Sequence, residues 1–305
     1  MGIRSLVHLF FSFLFCAALL AQSTTAPDVP EPGSAEEISK ATTSSQFLSP
    51  WVSYLPASSS VPSPRTFYGR IMGAPGELVN SEKAYGYCRA LAAASPRVRV
   101  FTIGHSEEGR EMILLAIADE KGIEDLERLK AATASLADPR KVDPSTAEKL
   151  IAESPPIYYF NAALHSDETG STESVLELAY RLAVSDQPMI RRIRENLVVL
   201  INPVSNPDGR DKQVDWFYRY LKGKTDRDTL PRQSPPYWGK YVFVDINRDT
   251  HQQTQESTRA VHRMFHEWHP TVVHDLHEAV PLCPGTAPAP TIPISIPSLI
   301  ANSLR

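Results

Sequence analysis

Residues 157–168 read IYYFNAALHSDE, and this stretch decides the fold class. Residues 157–164 form a short apolar run with the length and composition of a buried strand. The segment that follows repeats apolar residues at helical spacing, so one face of the predicted helix carries Val175, Leu178, Ala179, Leu182 and Ala183. A buried strand that leads directly into an amphipathic helix is the repeating unit of α/β proteins.

The same alternation of strands and helices extends on both sides of this stretch. Asn80 and Ser81 predict the cap of a helix that ends before Pro96, and further helices are predicted over 124–137 and around 261–268. Strand-like runs are predicted at residues 98–103, 112–118, 197–204, 241–246 and 271–276. The sequence therefore predicts the α/β class, with a mixed, largely parallel central sheet and helices on both faces.

Composition excludes nucleic acid as a partner on electrostatic grounds. The chain has 305 residues, a formal net charge of -4 and a pI of about 6.2, with 42% hydrophobic residues to build a core. The one dense basic stretch of the sequence, residues 191–194, lies on a helical pattern beside Glu195. We expect that stretch to be a solvated helix face.

The N-terminal segments predict export followed by a linker. Residues 1–21 combine Arg4, an apolar run over 6–20 and a cleavage point after Ala21, as in a signal peptide, although an uncleaved anchor is an alternative. The protein is then secreted or periplasmic, with no membrane association beyond export. Residues 22–66 are rich in Ser, Thr, Pro and Ala, which predicts a flexible linker before a domain over 67–305.

Two cysteines remain once the predicted signal peptide is removed. Cys88 falls on a helical pattern and is predicted to be a small buried residue. An oxidising compartment permits a disulfide between Cys88 and Cys283, but two cysteines far apart in sequence do not require one. The pairing is left open.

A His-x-x-Glu pair can supply two ligands to a metal ion, and the chain contains two such pairs. His105 and Glu108 lie in a polar turn, which is typical of exposed residues. His165 and Glu168 instead follow a buried strand, and binding sites of open α/β sheets form at the carboxyl ends of strands. The second pair is therefore the candidate site.

A third ligand is expected from the end of another strand. His277 directly follows the predicted strand 271–276. Period-two alternation puts Val273, Asp275 and His277 on one side of the strand, whereas His274 lies on the other side as a sheet residue. Two imidazoles and one carboxylate, with a position left open, are a donor set that catalytic zinc prefers.

These motifs resemble a known family. His165-x-x-Glu168, the turn at residues 206–209 (Asn-Pro-Asp-Gly), the segment 245–248 (Asp-Ile-Asn-Arg) and His277 occur in the order seen in the zinc carboxypeptidase (carboxypeptidase A-like) family. The turn at 108–110 is similar as well. The resemblance covers the chain from about residue 68 onward.

The resemblance implies a role for each matching residue. One Zn²⁺ is held by His165, Glu168 and His277. Asn247 and Arg248 then bind the terminal carboxylate of a peptide. Arg219 stabilises the oxyanion, and Asp245 orients the first histidine.

The resemblance also implies a general base that the sequence does not supply. In the family this base is a glutamate on a strand well after the third ligand, and a substrate-capping tyrosine precedes it. This sequence has no acidic residue after Glu278 and no tyrosine after Tyr241. We therefore expect a domain truncated at its C-terminus, with the last strands missing and no catalytic general base.

Three functions follow from these expectations. The first is a zinc-dependent metallocarboxypeptidase that hydrolyses the C-terminal bond of peptides with a free carboxylate. The second is a catalytically impaired fragment that binds metal and carboxylate. The third is a related zinc amidohydrolase that acts on N-acyl amino acids.

Overall fold

The computed structural model of the protein describes residues 28–224, 226, 231, 235 and 244–278. Its centre is a five-stranded sheet in the order β1-β2-β4-β3-β5. The strands are β1 Val98–His105, β2 Glu111–Ile117, β3 Ile157–Asn161, β4 Val198–Asn202 and β5 Val272–Asp275. The α-helices are α1 Ser34–Ala41, α2 Pro64–Tyr68, α3 Ser81–Ala94, α4 Glu120–Glu124, α5 Leu126–Leu136, α6 Pro144–Glu153, α7 Gly170–Val184, α8 Pro188–Asn196, α9 Pro207–Trp216 and α10 Glu256–Trp268.

The sheet is mixed, as predicted, and its pairings follow from the connections. β1 and β2 are antiparallel because only a short turn joins them, and β2 also pairs with β4 in the antiparallel sense. β3 is parallel to both β4 and β5. The helices α7 and α8 make the crossover from β3 to β4. Parallel and antiparallel pairings are thus equal in number within the described sheet.

Helices cover both faces of the sheet, which confirms the α/β class. On β2, Ile113 and Leu115 pack in the cluster that includes α3 and α7, while Leu114 packs against α5 and Trp268 of α10. Successive side chains of a strand point to opposite faces, so a strand buried on both sides must be apolar throughout. Leu114 and Leu115 are both fully buried.

Several elements differ from the predicted bounds. The strand predicted over 157–164 ends at Asn161, because the backbone turns at Ala163, whose φ is 52°. The helix predicted over 124–137 is divided at Asp125 into α4 and α5. Of the strand predicted over 241–246, residues 241–243 lie outside the described residues, and Ile246–Arg248 is a 3-10 turn capped by Asp245.

Residues 28–66 belong to the folded unit, in place of the flexible linker that their composition predicts. They contain α1, and the side chains of Ile38, Leu55 and Val61 are buried in the core cluster. Arg181 of α7 donates to the carbonyl of Tyr54 at 2.6 Å. A few apolar anchors and backbone contacts hold this stretch despite its polar composition.

The basic stretch 191–194 forms part of α8 but is only partly a solvated face. Arg191 and Arg192 are exposed. Arg194 is buried and donates to the carbonyls of Leu182 and Ser185, which the charge pattern did not predict.

The predicted signal peptide and Cys283 lie outside the described residues. Cys88 is fully buried in α3, and burial raises the pKa of its thiol. None of the described helices is long and apolar enough to span a membrane.

Candidate metal centre

The carboxyl ends of β3 and β5 meet at one edge of the sheet. The two strands are parallel neighbours, and Asn161 at the end of β3 is opposite Asp275 at the end of β5. The chain leaves β3 through residues 162–169, which we call the ligand loop, and enters α7. His165 and Glu168 lie on this loop, whereas His277 follows β5 directly. Strand adjacency therefore brings residues about a hundred positions apart to one place.

The carboxylate of Glu168 lies between two imidazoles. Its Oε1 is 2.9 Å from Nδ1 of His165, and its Oε2 is 3.0 Å from Nδ1 of His277. Each of the three residues offers one ligand atom, and these atoms all lie within 4.8 Å of one another. The structure thus brings together the three residues that the sequence analysis selected.

The opposite nitrogens of both imidazoles face carboxylates. Nε2 of His165 lies 3.1 Å from Oδ1 of Asp245, and Nε2 of His277 lies 3.0 Å from Oδ2 of Asp275. Histidines that bind metals commonly place their second ring nitrogen against a carboxylate, which fixes the ring and its tautomer. The resemblance implies an orienting role for Asp245; the structure shows its contact with His165, and the role itself stays a prediction.

The contact of Asp275 with His277 was not predicted, although the sequence contained a signal for it. Strand alternation had already put Asp275 and His277 on the same side of β5. The histidine within this strand, His274, lies on the other side, where its Nδ1 is 3.1 Å from the hydroxyl of Tyr158. This is the sheet position expected for His274.

The electrostatics of the centre favour a cation. Burial lowers the pKa of His165, but contacts with Glu168 and Asp245 raise it by more, so the net pKa is above its ordinary value. Three carboxylates surround two imidazoles here, on Glu168, Asp245 and Asp275. A divalent ion held by His165, Glu168 and His277 would supply positive charge among these carboxylates.

The donor set fits zinc. Two imidazole nitrogens and a carboxylate are ligands that catalytic zinc accepts, with room for a further position. His165, Glu168 and His277 form the one cluster of three or more potential ligands in the part of the chain that the structure describes. The other His-x-x-Glu pair is used differently, because Glu108 forms ion pairs with Arg110 and Lys212.

Glu278 faces the start of α7. Its Oε1 accepts the Gly170 N–H at 2.6 Å, while its own N–H donates to Oε2 of Glu168 at 3.0 Å. Burial raises the pKa of the Glu278 carboxyl. The residue after the third histidine therefore supports Glu168 through its backbone and has its carboxylate occupied elsewhere, which the sequence did not reveal.

The turn at residues 206–209 connects the ligand loop to the β1–β2 hairpin. Asp208 is fully buried and accepts bonds from the Ser106 hydroxyl, at 2.6 Å, and the Glu108 N–H, at 3.0 Å. Arg110 donates to the same carboxylate at 2.8 Å. The two turns that resemble the family are thus in direct contact.

Of the predicted substrate-binding residues, Asn247 contacts a residue of the centre, whereas Arg248 and Arg219 are exposed. Asn247 donates its N–H to Oδ1 of Asp245 at 2.8 Å, the same oxygen that faces His165. Asn247 and Asp275 line a cavity of about 410 Å³ next to α10. Arg248 is exposed. Arg219 is exposed on the π-helical turn after α9, with its guanidinium 5.9 Å from the Tyr220 ring, and its oxyanion role stays a prediction.

Comparison with known proteins decides the family. A sequence profile of the peptidase M14 family, described as zinc carboxypeptidase, matches residues 84–279, more than half of the 305 residues. The chain belongs to the zinc carboxypeptidase family. The recognition from four motifs in order is therefore confirmed. No curated protein matches the sequence.

Solved structures that resemble this chain share low sequence identity with it. Carboxypeptidase A from Helicoverpa armigera is 18% identical with a TM-score of 0.41, and covers 67% of this chain and 46% of its own. Thrombin-activatable fibrinolysis inhibitor is 14% identical with a TM-score of 0.44, and the match covers 80% of this chain and 53% of the inhibitor. A metallo-carboxypeptidase from Pseudomonas aeruginosa is 16% identical with a TM-score of 0.41, and the match covers 66% of this chain and 40% of that enzyme. The chain thus spans about half the length of these proteins or less.

Proposed function

We propose that this zinc carboxypeptidase family member binds one Zn²⁺ through His165, Glu168 and His277 and hydrolyses C-terminal peptide bonds. The observation that carries the proposal is the placement of the Glu168 carboxylate between two Nδ1 atoms. When bound, zinc at such a site polarises a substrate carbonyl and lowers the pKa of water.

The carboxylates behind the histidines prepare the donor atoms. A carboxylate accepts a hydrogen bond from a ring nitrogen that carries a proton. Asp245 and Asp275 therefore favour the histidine tautomer with the hydrogen on Nε2. That tautomer leaves the Nδ1 lone pair of each ring directed toward Glu168. Glu278 adds a backbone N–H to Oε2 of Glu168, which limits rotation of that carboxylate.

The substrate proposed is a peptide with a free terminal carboxylate. Asn247 follows Asp245 by two residues and so lies beside the centre, and Arg248 presents an exposed guanidinium. A guanidinium fork binds a carboxylate through two parallel charge-assisted hydrogen bonds. Arg248 and Asn247 are therefore proposed to hold the terminal carboxylate while the adjacent peptide bond lies at the metal.

One observation favours a second function, binding of metal and carboxylate without turnover. Hydrolysis needs a proton acceptor near the attacking water, and loss of such a base typically costs about 10² to 10⁴ in rate. Glu278 is the carboxylate next to His277, but it is bonded to the Gly170 N–H. Of the described carboxylates at the centre, Glu168 is the proposed ligand and the two aspartates face the histidines.

A single assay series separates the functions. The purified 305-residue chain is measured for zinc content and then incubated with N-blocked dipeptides, their C-terminal amides and N-acyl amino acids. Zinc-dependent cleavage of the N-blocked dipeptides with a free C-terminal carboxylate, but not of their amides, supports the carboxypeptidase function. Zinc and dipeptide binding without cleavage supports the binding function, and cleavage of N-acyl amino acids alone indicates the amidohydrolase. A chain that holds no zinc refutes all three.

We also propose that residues 1–21 direct export to a secreted or periplasmic location. The support is the combination of Arg4 with the apolar run over 6–20. N-terminal sequencing of the mature protein tests this, and an intact Met1 in the exported fraction contradicts cleavage after Ala21.

A further inference from the structure

Two residues at the start of α9 donate hydrogen bonds to the ligand loop, one before and one after the proposed metal ligands in the sequence. Nδ2 of Asn206 donates to the carbonyl of Leu164 at 3.4 Å, immediately before His165. Nη1 of Arg210 donates to the carbonyl of Thr169 at 2.9 Å, immediately after Glu168. The segment that carries two proposed metal ligands is therefore bracketed by two bonds from one helix.

Arg210 is a fully buried arginine with fixed geometry. Its side chain is 0% exposed, and its Nε donates to the carbonyl of Val79 at 2.8 Å. Its Nη2 lies 3.3 Å from Oε1 of Glu173. A buried guanidinium is costly unless it is paired and hydrogen-bonded, and the carbonyls of Val79 and Thr169 together with Glu173 meet that requirement.

Glu173 connects Arg210 with α7, the helix that follows the ligand loop. It lies in the first turn of α7, is 2% exposed, and accepts the Val79 N–H at 2.7 Å. Its other oxygen lies 3.3 Å from Nη1 of Arg70. Glu173 thus ties the first turn of α7 to α9 through Arg210, and to the segment before α3 through Arg70 and the Val79 N–H.

The ligand loop depends on such external bonds, because it has no regular structure of its own. Ala163 has a positive φ of 52°, a conformation that is unfavourable for a residue with a side chain. The Ala163 N–H is satisfied by the Ser171 hydroxyl at 2.9 Å. The position of Glu168 is consequently set by what holds the backbone at each end of the loop.

We propose that Arg210, held by Glu173, is a positioning residue that places the Glu168 carboxylate for metal binding by fixing the backbone at Thr169. This inference rests on the proposed zinc site. It assigns a role in metal affinity to an ion pair that touches neither histidine of the site.

The test uses a double variant of the full chain, Arg210→Met with Glu173→Gln. Removing both charges leaves no unpaired charge at positions 173 and 210, and the amide oxygen of the introduced glutamine still accepts the Val79 N–H. Arg70, whose side chain is 16% exposed, loses its carboxylate partner but keeps its hydrogen bond to the Ile71 carbonyl. The matched control is Arg181→Met with Glu177→Gln. That pair is equally buried in α7, with Arg181 Nε donating to Glu177 at 2.8 Å, but it anchors the carbonyl of Tyr54 and not the ligand loop.

Two readouts are measured at matched fractions of folded protein. The first is hydrogen exchange of the peptide covering residues 164–170 in metal-free protein. The second is the zinc dissociation constant by chelator competition, together with the visible absorption spectrum of the Co²⁺-loaded chain. We expect faster exchange and a zinc dissociation constant about 10- to 100-fold higher in the Arg210 variant, with a changed Co²⁺ spectrum. The Arg181 control is expected to match the wild type.

The outcomes distinguish this inference from the proposed function. Wild-type protein that does not bind zinc refutes the zinc site, while the exchange measurement still decides whether Arg210 fixes the loop. Unchanged exchange in the Arg210 variant, or an equal change in the Arg181 control, overturns the positioning role. If the double variant does not fold, Arg210→Lys is measured instead; it keeps the charge and is expected to give a smaller shift in the same direction.

Discussion

Nε2 of His165 lies 3.1 Å from Oδ1 of Asp245, although the two residues are 80 positions apart in the chain. The same oxygen accepts the N–H of Asn247 at 2.8 Å. One carboxylate therefore connects a proposed metal ligand with the segment proposed to bind the substrate carboxylate. We therefore expect the orientation of the His165 ring and the position of Asn247 to depend on this one residue.

Replacing Asp245 tests this connection. Asp245→Asn is expected to raise the zinc dissociation constant about 10- to 100-fold, because the amide is a weaker acceptor for the Nε2–H of His165. Chelator competition measures the constant. Asp186→Asn is the control, since the Asp186 side chain is 58% exposed and pairs with Arg194, not with a histidine of the centre. An unchanged constant in Asp245→Asn contradicts an orienting role.

Removing a histidine tests the ligand set. His165→Ala and His277→Ala are each expected to reduce bound zinc from one ion per chain to a small fraction, because two protein ligands hold zinc far more weakly than three. Metal analysis after gel filtration gives the stoichiometry. His266→Ala, an exposed position on α10, is expected to keep the full zinc content. Full zinc content in either ligand variant refutes the assignment.

Arg248 is expected to contribute binding energy for the substrate carboxylate. Arg248→Gln removes a charge-assisted hydrogen bond of about 1.5–3 kcal/mol, which corresponds to roughly 10- to 100-fold weaker binding of an N-blocked dipeptide. Calorimetric titration measures the binding constant. The C-terminal amide of the same dipeptide is the control, and its affinity is expected to be equal for both proteins. A loss of the same size for the amide contradicts carboxylate recognition.

Asp249 gives a pH dependence of stability. The side chain is fully buried and accepts the N–H groups of Thr254 and Gln255, each at 2.9 Å. Burial raises the pKa of Asp249, but the hydrogen bond from the Thr254 hydroxyl, at 2.6 Å, together with these two N–H bonds lowers it by more, so its net pKa is below the ordinary value. A group with a lowered folded pKa stabilises the protein above its unfolded pKa, near 4, and loses that contribution as the pH falls through the folded pKa.

Asp249→Asn is accordingly expected to lower the free energy of unfolding by about 1.5–3 kcal/mol at pH 7, with a smaller difference at pH 3. Urea denaturation of both proteins at pH 7, 5, 4 and 3 measures this difference. A gap between the two proteins that does not narrow in acid argues against a role for the ionised carboxylate.

Leu55 tests whether residues 28–66 belong to the folded unit. Leu55 is fully buried, so Leu55→Ala is expected to cost about 2–5 kcal/mol of unfolding free energy. Val29→Ala is the control, because Val29 is 70% exposed and its truncation is expected to change the stability little. Thermal or urea unfolding measures both, and equal stability of Leu55→Ala and wild type indicates a separate segment.

The local elements could be predicted because they depend on local chemistry. The cap at Asn80 begins α3 through a side-chain bond to the Lys83 N–H, as its position before a helical pattern predicts. The apolar run at 157–164 gave β3, but its end could not be placed from hydrophobicity. Ala162 and Ala163 are buried after the strand has ended, and burial outside a sheet gives the same apolar pattern.

The sequence failed where polar residues are buried by partners distant in the chain. Arginine is usually exposed, yet Arg194 and Arg210 are both buried, because carbonyls and a carboxylate from other elements accept hydrogen bonds from their side chains. The stretch at 28–66 was misjudged for a related reason. A polar average conceals a few side chains, such as Leu55, whose burial depends on the surface they meet.

The sequence by itself determined the family and the α/β class, and it selected three side chains for the candidate metal centre. Helix and strand periods and the spacing of His165 and Glu168 are properties of neighbouring residues, whereas His277 was selected as a histidine at a strand end, in the order seen in the family. Only the tertiary structure showed that Asp275 faces His277 and that Arg210 donates to a carbonyl of the ligand loop, whereas the resemblance had implied the contact of Asp245 with His165. Those contacts depend on β3 and β5 being parallel neighbours and on α9 packing against the loop, and no spacing along the chain encodes which strands become adjacent.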